Sequence, residues 1–212
     1  MTTDIIVVRH GQTHGNIEQR FYGHSETDLT PLGIAQARAA GRRLAAVHFD
    51  FVYTSDLSRA AMTTAHVLEG RDGPPPVLDP GLREMNYGEW EARPASEIGA
   101  EARDLLRSFF QGKASGAPGG ETLQQLRDRT AASARRMAAD HANATVLAVS
   151  HGNAIMAMVA ELLHVPLEAT WSFAVDNTSI TRLRFSNSGR FTLISFNDAA
   201  HIAGLEGERP PG

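Results

Sequence analysis

Apolar and polar positions follow two different periods along this chain. Ile5-Ile6-Val7-Val8 and Val146-Leu147-Ala148-Val149 are short, unbroken apolar runs. Runs of this length with no polar face predict strands covered on both sides, as in a parallel sheet between helices. Residues 49–53 predict another strand, and Val77-Leu78 a short one. Elsewhere the period lengthens. Thr30-Pro31 opens a helix with proline in its first turn, and Leu32, Ala35, Ala39 and Leu44 mark its apolar stripe. A second helix carries Arg59, Ala61, Ala65 and Leu68, with Ser55 or Asp56 placed to cap it. Residues 94–110, 121–141 and 153–163 are also helical in pattern, with Leu123, Leu126, Ala134 and Met137 on one face. Two alternating segments, 180–185 and 191–196, flank the turn Ser186-Asn187-Ser188-Gly189 and predict an antiparallel hairpin.

Strands alternating with helices imply an α/β fold: a three-layer α/β/α sandwich whose sheet is mostly parallel with an antiparallel edge strand. At 212 residues the chain is long enough for one well-buried domain with at most a modest insertion. The net charge of −4 supplies no global basic field, which argues against nucleic acid and anionic membrane as partners. An anion site must therefore be local. With no cysteine, disulfides, thiolate metal sites and a cysteine nucleophile are excluded, and the composition fits a reducing cytoplasm. No apolar stretch approaches the roughly 18 residues of a membrane span. The N-terminus passes Asp4 directly into a strand without a basic segment, so a signal peptide is not expected and the expected location is cytoplasmic.

The candidate chemistry lies at two strand ends. The first apolar run ends in Arg9-His10-Gly11 and the later one in Ser150-His151-Gly152. The carboxyl ends of strands are where α/β sheets bind ligands. A guanidinium beside an imidazole at that edge is suited to gripping and attacking a phosphate. His10 and His14 are four apart, but the glycine between them argues against a shared helical face, so no metal site is expected.

These segments belong to a longer set: Arg9-His10-Gly11-Gln12-Thr13 with Asn16; Gly23 with Asp28-Leu29-Thr30 and Gly33; Ser55-Asp56-Leu57-Ser58-Arg59-Ala60; Leu82-Arg83-Glu84 with Gly88; and Ser150-His151-Gly152. In order and spacing they resemble the histidine phosphatase superfamily, the phosphoglycerate-mutase-like proteins, over nearly the whole chain. The resemblance implies one domain over residues 1–203, with a small helical cap at about 84–121; the final residues, 204–212, read as a flexible tail. It implies a phosphomonoester hydrolase that works through phosphohistidine on a small phosphorylated metabolite, without metal or cofactor. His10 is then the nucleophile. Arg9 and Arg59 supply donors to the phosphoryl oxygens, and His151 a further one. Glu84 is the general acid, which calls for a raised pKa. Asn16 and the Gly152 amide at a helix start add neutral donors. Gln12, Thr13, Tyr22 and Gly23 complete the substrate-binding set; Phe21, Met85 and Trp90 are candidates for the leaving-group wall, and His24 for the roof. Asp56 and Glu89 are weaker candidates for the acid.

The alternative within the resemblance is a cofactor-dependent phosphoglycerate mutase. Gln12-Thr13 in place of a Glu-Ser pair, the stretch Met85-Asn86-Tyr87-Gly88-Glu89-Trp90-Glu91, and Pro118-Gly119-Gly120-Glu121-Thr122 favour the phosphatase branch. A non-catalytic phospho-ligand protein is a third reading, set against the intact residue set. Two departures fall on the substrate side: Gly15 replaces a bulkier residue, implying an open wall, and Ala92 stands where a glycine commonly follows Trp-Glu. The edge hairpin permits a homodimer without requiring one.

Overall fold

A computed structural model of the chain describes residues 2–98, 107–108, 116–186 and 188–205. Residues 99–106 and 109–115 of the cap expected at 84–121, and with them most of the helix expected at 94–110, lie outside the described residues, as does the tail from 206 onward. A six-stranded sheet forms the centre, in the order β3-β2-β4-β1-β5-β6. These strands are β1 (Thr2–Arg9), β2 (Phe51–Thr54), β3 (Val77–Leu78), β4 (Thr145–Ser150), β5 (Ile180–Ser186) and β6 (Phe191–Asp198). The first four run parallel, while β5 and β6 are antiparallel to their neighbours, as the hairpin pattern predicts. No helix among the described residues is long and apolar enough to cross a membrane.

The unbroken apolar runs arise because successive side chains of one strand enter opposite cores. Ile5 and Val7 pack with the face of α4 (Leu123–Asp140) and α5 (Gly152–Leu162), among them Ala134, Met137, Ile155 and Val159. Ile6 and Val8 pack on the other side with α2 (Pro31–Arg43) and α3 (Ser58–Val67), through Ala37, Ala40, Ala60 and Val67. The buried face of α2 is thus Gly33, Gln36, Ala37, Ala39, Ala40 and Gly41; Ala39 and Leu44 of the expected stripe are buried, while Leu32 and Ala35 are only half-buried. Small residues win that face because the helix lies close against the sheet and the loop after β1. A Cβ on Gly11 would fall 2.4 Å from the Gly33 carbonyl oxygen.

The expected polar loop between β1 and α2 contains a short helix, α1 (His14–Glu18). Thr13 caps it, and a capping box joins Thr13 and Asn16, each side chain bonding the other's main-chain N–H. The expected cap of α3 is corrected. Leu57 is its N-cap residue and makes no side-chain cap bond. Asp56 instead forms a two-pronged pair with Arg83 (2.7 and 2.5 Å), and the Glu26 carboxylate accepts from both the amide and the hydroxyl of Ser58.

Candidate active site

Because β1 and β4 pair in parallel with Arg9 opposite Ser150, both strands deliver their terminal histidines to one edge. The His10 and His151 rings lie 5.1 Å apart, tilted by 58°. Both are buried, at 4% and 0% exposure. Their hydrogen bonds fix opposite tautomers. His10 Nδ1 lies 2.7 Å from the Gly11 carbonyl oxygen. A carbonyl only accepts, so Nδ1 carries the proton and Nε2 keeps its lone pair. In His151, Nδ1 accepts from Arg59 Nε at 3.1 Å. Its proton is therefore on Nε2, which donates to Ser55 Oγ at 2.9 Å. Burial, then the Arg59 charge, holds both imidazoles well below the usual histidine range. For His10 the Arg9 charge adds to this, and for His151 its neighbour His10 and then Arg9. Both rings are thus neutral near pH 7.

Arg59 is 1% exposed, and much of its guanidinium serves the protein. Besides His151 it donates to the carbonyls of Ser25 (2.9 Å), Gly23 (2.6 Å) and Tyr22 (3.3 Å). Arg9 donates from Nη1 to the Val175 carbonyl at 2.5 Å, while its buried Nε has no partner. That Nε lies 3.3 Å from where a Cβ on Gly152 would stand, so the guanidinium crosses the first residue of α5. Burial lowers the pKa of both arginines from the ordinary guanidinium value, and Glu84 opposes this.

Glu84 is 7% exposed and crowns the same helix end. Its Oε1 accepts from the amides of Met85 (2.8 Å) and Ala154 (3.1 Å), and its Oε2 from Asn153 (3.1 Å). Burial raises its pKa against the opposing pull of those amides and of Arg59 and Arg9. The site therefore pairs imidazoles that stay neutral with a carboxyl inclined to keep its proton.

The remaining expected residues divide by what their side chains do. Gln12 Oε1 accepts from the Thr30 hydroxyl at 2.9 Å, and Thr13 is spent on capping α1. Asn16 Oδ1 accepts from Thr13 and from Asn177 Nδ2, which also holds the His10 carbonyl. Asn177 escaped the sequence reading because an asparagine before β5 carries no spacing signal. Two expectations about the wall are corrected. Met85 and Trp90 are core residues, 1% and 4% exposed, and Phe21 packs against them. The space over Gly15 is filled by the Tyr22 ring, 2.3 Å from an added Cβ, so the wall there is closed. Ala92 adopts φ 59°, the left-handed region, which is why glycine suits that position.

Glu91 is the residue the sequence hid. Its Oε1 accepts from the amides of His24 and Tyr87, both at 2.9 Å, and its Oε2 from Gly23 (3.1 Å) and Ser25 (2.9 Å). Residues 22–25 are thus gripped by Arg59 through their carbonyls and by Glu91 through their amides. In sequence, Glu91 has only a place beside Trp90. Glu91→Ala leaves four donors without acceptors, and we expect a loss of about 3 kcal/mol in urea unfolding, since an unpaired amide costs roughly 1–3 kcal/mol when buried and less when half-exposed. An unchanged midpoint would refute this grip.

His14 begins α1 and is exposed; among the described residues no three His, Asp or Glu are grouped to hold a metal. A cavity of about 680 Å³ at the far end of the sheet is lined by Thr3, Arg135, Phe185 and Phe191, and none of the residues above borders it.

Comparison with known proteins adds independent findings. Residues 5–199 match the sequence model of the histidine phosphatase superfamily (branch 1). The adenosylcobalamin/alpha-ribazole phosphatase of Salmonella typhimurium is 34% identical over 171 residues, 80% of this chain and 84% of that one. The probable phosphoglycerate mutase GpmB of Yersinia enterocolitica is 30% identical over 203 residues, 93% of this chain and 94% of that one. Among solved structures, Bacillus stearothermophilus YhfR superposes with a TM-score of 0.90 at 31% identity, over 94% of this chain and 99% of that one. A mycobacterial glucosyl-3-phosphoglycerate phosphatase superposes with a TM-score of 0.80 at 27% identity, over 93% of this chain and all of that one.

Proposed function

The chain belongs to the histidine phosphatase superfamily (branch 1), and from that premise we propose that it hydrolyses a small phosphomonoester through a phosphohistidine on His10. The observation that carries this reading is the His10 tautomer. Its Nδ1–H is committed to the Gly11 carbonyl, which leaves a neutral Nε2 beside two buried guanidiniums.

In the first step the Nε2 lone pair attacks phosphorus and the bond from phosphorus to the ester oxygen breaks. Arg9 and Arg59 offset the charge on the phosphoryl oxygens, and Glu84 gives its proton to the departing alkoxide. The imidazole holds its one N–H proton on Nδ1, so no proton need leave the ring during attack. In the second step the Glu84 carboxylate takes a proton from water, the oxygen of that water bonds to phosphorus, and the phosphorus–nitrogen bond breaks. Phosphate leaves and Glu84 is again protonated. His151, neutral and held by Arg59 and Ser55, contributes a dipole rather than a full charge. With this arrangement the positive charge at the site is that of the arginines, and the absence of cysteine accords with a cytosolic setting.

The test is to incubate the protein with 3-phosphoglycerate and a panel of phosphomonoesters in excess EDTA, following free phosphate and 2-phosphoglycerate together. Phosphate release, undiminished by EDTA and without isomer, supports the reading, and the fastest ester points to the substrate. Rapid 2-phosphoglycerate formation primed by a bisphosphoglycerate would make the protein a mutase, the activity named for the Yersinia relative. Strong inhibition by EDTA would show that a metal supplies charge assigned here to arginine.

A further inference from the structure

The chain around Glu84 is held from outside the site by a guanidinium that takes no part in it. Arg129, on α4, directs three of its hydrogen bonds at this segment and two at Glu121. Its Nη1 donates to the carbonyls of Gly81 (3.1 Å) and Arg83 (2.8 Å). Its Nη2 donates to the carbonyl of Glu84 (2.8 Å) and to Glu121 Oε2 (2.9 Å), and its Nε to Glu121 Oε1 (2.6 Å). The Glu121 carboxylate then accepts from the Asn86 amide at 3.3 Å, while the Glu121 amide donates to the Asn86 carbonyl at 2.9 Å. His24 Nε2 adds a second donor to the Glu84 carbonyl at 3.0 Å.

This segment has little regular structure to fix it. A single turn of 3-10 helix covers Pro80–Leu82, and the chain then runs without helix or strand to Gly88. A planar, fully charged fork that meets three carbonyls and a carboxylate leaves the main chain one arrangement. The pair is mostly sheltered, at 24% and 12% side-chain exposure, so solvent screening weakens it less than an open surface pair.

We propose that Arg129, braced by Glu121, is a positioning residue for the general acid: it fixes the main chain on both sides of Glu84 so that the carboxyl stays over the start of α5. This rests on the role of Glu84 proposed above. Displacement of an acid by about 1 Å can cost on the order of 100-fold in rate, and the cost should fall where the acid is needed. An alkyl phosphate expels a basic alkoxide and needs the proton. 2,4-Dinitrophenyl phosphate expels a stable phenolate and does not.

The experiment compares kcat/KM, which reports formation of the phosphoenzyme, for the two esters in wild type, Arg129→Met, Arg129→Lys, Glu121→Gln and Glu84→Gln. We expect Arg129→Met to lose roughly 10- to 100-fold on the alkyl ester and less than about threefold on the dinitrophenyl ester. Arg129→Lys, which keeps the charge and reaches fewer carbonyls, should recover part of the loss. Equal losses on both esters would overturn the proposal, since that is the signature of general loosening. So would an unchanged alkyl rate. If Arg129→Met does not fold, Arg129→Lys and Glu121→Gln carry the same comparison. Glu84→Gln separates the two claims: selective loss there with none in the Arg129 and Glu121 variants refutes the positioning role alone, and no selective loss there refutes the acid itself.

Discussion

His10→Ala should abolish phosphate release, with a fall on the order of 10⁴-fold or more, the scale seen when a covalent nucleophile is removed. No neighbouring group is placed to replace it. His151 is the nearest imidazole, yet its Nδ1 lone pair is engaged by Arg59 and its Nε2 carries the proton given to Ser55. The variant should stay folded. The site it vacates is small, and the one donor lost is that to the Gly11 carbonyl, worth about 1 kcal/mol. Circular dichroism checks the fold, and phosphate release checks the chemistry. Wild type quenched in alkali during turnover should retain a phosphoryl group that acid removes, the behaviour of a phosphorus–nitrogen bond, and the variant should retain none. Steady turnover by His10→Ala would overturn the covalent mechanism.

Glu84→Gln should lower turnover of alkyl phosphates by roughly 10²- to 10⁴-fold, the usual worth of a positioned acid–base group. The amide can still accept at the start of α5 but has no proton to give at neutral pH. The pH profile supplies an independent reading. The proposed first step needs Glu84 protonated, and its pKa is raised by burial. Activity should therefore persist above the ordinary carboxylate range and fall as pH rises through the raised value. On the acid side His10 must be unprotonated, and burial with Arg59 and Arg9 lowers its pKa. The acid limb should then lie below the ordinary histidine range. Glu84→Gln should erase the alkaline limb and leave the acid one. A retained alkaline limb would assign it to another group.

The two strand ends were legible from sequence because a parallel sheet imposes a strong local signal. Val7-Val8-Arg9-His10-Gly11 passes from a run that must be buried to residues that must not be idle there. Glu84 could be found only through the surrounding motif, since nothing in its local spacing distinguishes it from a surface glutamate. Glu91 and Arg129 were missed for a related reason. Each acts on main-chain groups distant in sequence, and such partners leave no trace in residue type. The buried face of α2 was misjudged at Leu32 because a helix lying tight on a sheet selects for small residues over the most apolar ones. The wall at Gly15 was misread similarly: a missing side chain in sequence was a space already filled by Tyr22.

The place of β1 in the sheet bears on when the enzyme can come into being during synthesis. The strand that ends in Arg9 precedes both of its partners in the chain, yet it lies between β4 and β5, pairing Asp4 with Thr145 and Thr2 with Ser186. Neither partner exists until about 135 residues beyond β1 have been translated. Until then β1 offers two unpaired edges, and the entropy of closing so long a loop delays their pairing. A ribosome-bound chain ending before residue 180 would lack β5 altogether and expose an apolar strand that invites association. Catalytic competence therefore arrives late and all at once, and the hairpin, whose first strand begins beside Val8, is the piece whose emergence allows it.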